Sequence, residues 1–301
     1  NTIALSSAVG TNAQTRCINT AITNITYATT TATGAMVTGL PTGVTGSWSS
    51  NVVTITGTPS VSGTFTYTVT MSGGCTGGTN TATGTITVTP NNSIALSSAV
   101  GTNAQTLCIN TAITNITYAT TTATGATVTG LPTGVTGSWT ANVVTITGTP
   151  SVSGTFTYTV TMTGGCTGGT NTATGTITVT PNNTIALSSA VGTNSQTRCI
   201  NTAITNITYA TTTATGATVT GLPTGVTGNW SSNVVTITGT PSVSGTFTYT
   251  VTMSGGCTGG TNTATGTIKV KPITPIELIP AVGTNAQTRC INTAVTNITY
   301  A

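Results

Sequence analysis

Charge is nearly absent from this chain. Of 301 residues, five are cations (Arg16, Arg198, Arg289, Lys269, Lys271) and one, Glu277, is an anion; there is no His and no Asp. An ordinary domain is about 25% charged. General acid–base catalysis needs a group that titrates at a useful pH, and this sequence offers almost none. Ser and Thr hydroxyls abound, but no base is present to activate one as a nucleophile. Calcium sites need several carboxylate or other hard oxygens, and zinc sites usually draw on His, so no metal or cofactor is expected. Five cations form no basic patch, which argues against nucleic acid as a partner. No apolar run reaches 18 residues, so no membrane span is expected. The chain starts at Asn1 without a signal peptide and reads as a mature form or a fragment.

What is present is hydroxyl. The first 91 residues contain 27 Thr, and mean hydropathy is +0.27 with a net charge of +4. Disorder goes with low hydropathy and high net charge, so a folded chain is expected.

The sequence repeats. NTIALSSAVG at Asn1 returns as NSIALSSAVG at Asn92 and NTIALSSAVG at Asn183, a period of 91, and a diverged start, TPIELIPAVG, begins at Thr274. The implied frame is 1–91, 92–182 and 183–273, with 274–301 an incomplete fourth unit. Because the pattern is periodic, a unit could also be cut from residue 29 to residue 119. A 91-residue unit is large enough for its own core, unlike the 20–45-residue units of solenoids.

Within a unit the period is two. Phe65, Tyr67, Val69 and Met71 alternate with Thr64, Thr66, Thr68 and Thr70, the pattern of a half-buried strand. Thr81–Thr89 does the same, with Ala82, Gly84, Ile86 and Val88 facing inward. Further strands are expected at Ile3–Ala8, Ile22–Ala28, Ala35–Leu40, Val44–Trp48 and Val52–Thr56. Turn sequences separate them: Leu40-Pro41-Thr42-Gly43, Ser50-Asn51, Gly57-Thr58-Pro59 and Gly73-Gly74. Seven short strands in such a length predict an all-β fold, an immunoglobulin-like β-sandwich, repeated in tandem as an extended rod. One Trp (Trp48, Trp139, Trp230) and one Phe (Phe65, Phe156, Phe247) per unit are the expected core anchors.

Seven cysteines stand at 17, 75, 108, 166, 199, 257 and 290. Their spacing of 58 within each repeat pairs Cys17 with Cys75, Cys108 with Cys166 and Cys199 with Cys257, leaving Cys290 with a partner outside the chain. Disulfides imply an oxidising, extracellular or cell-surface location. Each would contribute roughly 4 kcal/mol in the chain-entropy model. The expected bridge pins loops at one pole of the sandwich.

The run Gly39-Leu40-Pro41-Thr42-Gly43-Val44, with Val53-Thr54-Ile55-Thr56-Gly57-Thr58-Pro59 and Ser62–Thr70, resembles the immunoglobulin-like (PKD-like) tandem repeats of giant bacterial surface adhesins. With the cysteine pair and the closing Gly84–Pro90 it looks most like the arrays of Bacteroidetes-type bacteria exported by the type IX system. The resemblance spans all three repeats. It implies a stalk or spacer role, with adhesive tips elsewhere.

Other motifs carry less. Leu40-Pro41-Thr42-Gly43 partly matches a sortase signal, but it is internal, lacks the spacer residue and recurs in every repeat, so it reads as a turn. Asn24-Ile25-Thr26 and its copies at Asn115, Asn206 and Asn297 fit an N-glycosylation pattern inside an expected strand. Outward Thr faces suit O-glycosylation, or ice binding if the sheet is flat, although sheets twist. The junctions Thr89-Pro90-Asn91-Asn92 and Thr180-Pro181-Asn182-Asn183 are short and semi-rigid. Three units at about 30 Å each, plus links, would span roughly 100 Å. The third junction, Lys269 to Glu277, differs in holding two of the five cations and the one anion.

The functional expectation is an extracellular structural protein, a stalk or filament, with self-association plausible through 274–301. The alternatives are a repeat-borne adhesion or glycan-binding module, in which Arg16/Leu107, Met36/Thr127 and Ser47/Asn229 would form one patch, and an ice-binding protein.

Overall fold

The computed structural model describes residues 1–74, 77–78, 80–274 and 286–298, and among them every regular element is a strand. The first repeat contributes eight: β1 (Thr2–Leu5), β2 (Ala13–Cys17), β3 (Ile25–Thr30), β4 (Gly34–Thr38), β5 (Val44–Ser49), β6 (Val52–Gly57), β7 (Gly63–Ser72) and β8 (Thr81–Thr89). The set recurs 91 residues on as β9 (Ser93–Leu96) to β16 (Thr172–Thr180), and again as β17 (Thr184–Leu187) to β24 (Thr263–Lys271).

Each set forms two four-stranded sheets, ordered β1-β3-β6-β5 and β2-β8-β7-β4 in the first repeat. All neighbours are antiparallel except β2 and β8, which run parallel with Cys17 opposite Thr89. The alternation of the sequence becomes the two faces of these sheets. Tyr67, Val69, Ile86 and Val88 from one sheet meet Ile25, Tyr27, Val53 and Ile55 from the other in a single buried cluster. The Thr residues between them stack across strands in register, Thr64 on Thr87, Thr66 on Thr85, Thr68 on Thr83 and Thr70 on Thr81.

Two compact units divide the chain, Asn1–Val179 and Thr180–Ala301. The first holds two sandwiches with separate cores, one centred on Tyr67 and one on Tyr158. The second holds one, centred on Tyr249, together with the strandless segment 286–298. No helix among the described residues is long and apolar enough to cross a membrane.

Two sequence expectations change. The strand β2 is absent from the seven expected, because Gln14 and Arg16 stand where an alternating pattern should place apolar residues. Gln14 earns its inward position through hydrogen bonds: its amide donates to Thr11 O at 2.8 Å and Thr23 O at 2.9 Å and accepts from Thr23 N at 2.9 Å. The aromatic anchors also shift. Trp48 and Phe65 are only partly buried against the core, whereas Tyr67, Tyr158 and Tyr249 are wholly buried. Trp48 is held at the rim by its indole N–H, which donates to the buried Thr29 hydroxyl at 3.1 Å.

Candidate functional site

The chemistry that distinguishes this chain lies where its first repeat meets its second. Cys17 ends β2, next to Thr89 at the end of β8, so it sits at the pole from which the chain leaves the first sandwich. Cys166 lies in the loop between β15 (Gly154–Thr163) and β16. A disulfide joins the two across 149 residues of sequence, with a Cα–Cα distance of 5.5 Å. Cys108 and Cys257 are also disulfide-bonded, while Cys199 and Cys290 are free and exposed.

The pairing by 58-residue spacing is therefore corrected: Cys17 bonds Cys166 instead of Cys75, Cys166 is not available to Cys108, and Cys199 is not bonded to Cys257. Cys75 itself lies outside the described residues. The reason is the parallel pairing of the missed strand. In the third repeat β18 (Ser195–Cys199) runs parallel to β24, with Cys199 opposite Lys271 at its far end, whereas Cys257 precedes its first residue, Thr263. Nine residues of strand separate the two poles by about 30 Å, and a disulfide needs Cα atoms within about 7 Å. Cys199 and Cys257, 58 residues apart, occupy opposite ends of the third sandwich.

An asparagine sets the joint. Asn92 is the first residue of the second repeat and is 2% exposed. Its amide nitrogen donates to Gly164 O and Asn171 Oδ1, both at 2.9 Å. Its Oδ1 accepts from Thr122 Oγ1 at 2.8 Å and from Cys166 N at 3.1 Å, and its backbone N–H donates to Cys166 O at 2.7 Å. Every polar atom of the side chain is satisfied, which burial requires, and the Gly164-Gly165-Cys166 loop is held so that its thiol reaches Cys17. Asn183 repeats the arrangement on Gly255, Asn262, Thr213 and Cys257. Asn1 does so in part, donating to Gly73 O at 2.8 Å and accepting from Thr31 at 2.9 Å.

Beside the disulfide is an open cleft of about 360 Å³ between Ile18, Asn19 and Thr20 of the first repeat and Gly165, Thr167 and Gly168 of the second. No ionisable side chain lines it. Among the described residues no three His, Cys, Asp or Glu side chains gather to hold a metal.

A second polar device joins the two sheets of each sandwich. Tyr27 Oη lies 2.9 Å from Tyr67 Oη in the core, and Tyr118–Tyr158 and Tyr209–Tyr249 repeat it at 2.9 and 3.0 Å. Burial first, and then the hydrogen bond with Tyr27, pushes the Tyr67 phenol well above its usual range. Gly84 permits this geometry, because a Cβ there would fall 2.3 Å from both Tyr67 Oη and Asn12 O.

No protein-family model and no curated protein sequence matches this chain. Solved structures do. A three-domain titin segment, I67–I69 (an E-to-A variant), aligns with a TM-score of 0.53 at 9% identity, covering 87% of this chain and 95% of that one. The ICAM-5 D1–D4 ectodomain fragment aligns at 0.42 and 9% identity, over 92% and 78%. Dpr2 Ig1–Ig2 in complex with DIP-Theta Ig1–Ig3 aligns at 0.42 and 8%, over 91% and 100%. The titin likeness and the sheet orders together define the class, a tandem array of immunoglobulin-like β-sandwich domains. In the strand naming of that fold, β1-β3-β6-β5 is the A-B-E-D sheet and β8-β7-β4 the G-F-C sheet.

Proposed function

We propose that this is an extracellular structural protein of adhesin type, a cell-surface stalk or filament whose domains are 1–91, 92–182 and 183–273, with 274–301 opening a further unit. The observation that carries the reading is the Cys17–Cys166 bridge. A disulfide within a domain stabilises that domain alone; one between successive domains also fixes the joint and shortens the path that tension follows. The Asn92 hydrogen bonds act on the same joint. Disulfide bonding supports an oxidising compartment.

Residues 286–298 support self-association. Val295 and Ile298 are 68% and 48% exposed, whereas their counterparts one repeat frame back, Ile204 and Ile207, are 6% and 0% exposed. Strands from another chain would bury them, and a head-to-tail contact of that kind is open-ended. The part of this segment at 275–285 and 299–301 lies outside the described residues.

A binding-module reading has less support. Arg16 and Met36 lie on β2 and β4, the opposite edges of one sheet, and Ser47 lies on β5 in the other. The variable positions thus make no single patch. Ice binding would show as thermal hysteresis. Electron cryo-microscopy of native material tests the main reading: rods or filaments built from these domains are expected, and dispersed single particles with free domain joints would overturn it.

A further inference from the structure

The cleft beside the Cys17–Cys166 disulfide has two fastened walls. One is the turn from Cys17 to Thr20. There Thr20 N donates to Cys17 O at 3.1 Å, Ile18 N to Thr89 O at 2.9 Å and Asn19 N to Pro59 O at 2.8 Å, so the turn is closed on itself and tied to its own domain. The other is the loop 165–168. Asn92 holds that loop at Cys166 N, and Asn171 Nδ2 donates to Thr167 O at 2.6 Å. Gly165, with φ +66, packs so closely that a Cβ there would fall 2.1 Å from Thr122 O. The disulfide ties one wall to the other. Walls already ordered lose little freedom when a ligand enters.

Four polar side chains line the space, those of Asn19, Thr20, Asn91 and Thr167. None of them is engaged in a hydrogen bond with another described residue. Together they offer amide and hydroxyl groups that both donate and accept. Ile18 adds one apolar side chain, and no ionisable side chain is present. A charged ligand would give up its hydration with no countercharge in return, so the cleft suits an uncharged one. Its volume of about 360 Å³ lies at the small end of the range for small-ligand sites, about 300–1,000 Å³, and such sites favour domain interfaces. A small, neutral molecule with many hydroxyls and C–H edges for Ile18 is a sugar. A peptide fits less well, because no apolar pocket here receives its side chains. The variable positions Arg16, Met36 and Ser47 take no part; Asn19 and Thr20 return as Asn110 and Thr111 and as Asn201 and Thr202.

We propose that the joint between the first two domains is a binding site for a short neutral saccharide, held by Asn19 and Thr20 on one domain, by Thr167 on the other and by Asn91 in the link. The saccharide touches both domains, so its binding stiffens the joint. It also covers Cys17, which lines the cleft, whereas Cys166 is 4% exposed. A thiol approaching the bridge from the cleft must wait for the saccharide to leave. The site is a function beyond mechanical support and stands whether or not the chain serves as a stalk.

The oxidised, full 301-residue chain tests it. A printed panel of neutral oligosaccharides is screened first, with sialylated and sulfated glycans and neutral peptides alongside. The best-retained neutral saccharide is then titrated while glutathione reduces the Cys17–Cys166 bridge, followed by peptide mapping. Retention of neutral saccharides over charged ones is expected, and the bound saccharide should slow the loss of the Cys17–Cys166 peptide. N19G removes the side chain without straining the φ of 61° at that position. N19G and T167A should each raise the half-protecting concentration about tenfold, the worth of a hydrogen bond to the ligand. T66A, at an exposed position on β7, should leave it unchanged. Retention of no neutral saccharide, retention of charged glycans or peptides instead, binding that gives the bridge no protection, or protection that survives both N19G and T167A would each overturn the proposal.

Discussion

Tyr27 and Tyr67 place their hydroxyls 2.9 Å apart in a core where both side chains are at most 2% exposed. They stand on β3 and β7, the B and F strands that a core disulfide joins in antibody domains. Here a hydrogen bond joins the sheets, and Cys17 and Cys166 serve the joint between the first two domains instead. Replacing one partner orphans the other, at about 1–3 kcal/mol per buried hydroxyl, whereas replacing both is nearer neutral. Y67F/Y158F/Y249F should therefore lower the urea midpoint clearly, and adding Y27F/Y118F/Y209F should restore much of the loss. Additive losses would contradict the account.

Tyr67, Tyr158 and Tyr249 set the pH dependence. Their folded-state pKa values lie above the unfolded value of about 10. A raised folded pKa contributes stability that is fully present below the unfolded pKa and is lost as pH rises through it, because the unfolded chain releases protons that the native one keeps. With no His, no Asp and a single Glu, melting between pH 3 and 9 should be nearly flat. Above pH 10 stability should fall, by up to about 1.4 kcal/mol per pH unit for each buried phenol. A steep acid transition would count against this.

Asn92 is the test of the joint itself. N92A removes four side-chain hydrogen bonds from a site that is 2% exposed. Orphaned partners cost about 1–3 kcal/mol each where water cannot reach them, so a loss of roughly 2–4 kcal/mol is expected in the second repeat. Hydrogen exchange should quicken at the Cys166 amide, and that disulfide should reduce faster. Unchanged exchange would mean that the loop is held by other contacts.

Pulling the chain from its ends reads the disulfide pattern mechanically. A bridge from Cys17 to Cys166 hides a loop of 149 residues, about 500 Å of extended chain at ~3.5 Å per residue. Bridges within repeats would instead hide loops of about 200 Å each. Single-molecule extension with reductant should release the larger increment. Closing so long a loop also constrains the unfolded chain, by about 5 kcal/mol in the entropy model.

Much of the fold was legible in the sequence because Thr alternates with apolar residues wherever a strand has one face inside. Seven of the eight strands of a repeat followed from that rule. The eighth, Ala13–Cys17, breaks it, since Gln14 satisfies its amide by hydrogen bonding to the 18–24 loop instead of contributing apolar surface. Missing that strand concealed the parallel pairing, and with it the fact that Cys199 and Cys257 of the third repeat lie at opposite poles. Sequence spacing measures distance along the chain, and cysteine pairing depends on which pole each residue reaches. The buried tyrosine pair was likewise hidden, because Tyr67 read only as one apolar position among several and Gly84 gave no sign of the ring it accommodates.

The most direct test of the central claim is disulfide mapping of the oxidised, non-reduced chain by proteolysis and mass spectrometry. The account predicts a peptide linking Cys17 to Cys166, with Cys199 not linked to Cys257. Recovery of Cys17 linked to Cys75, and of Cys108 linked to Cys166, would contradict it: the domains would then be closed individually, and the joints would be held by hydrogen bonds alone.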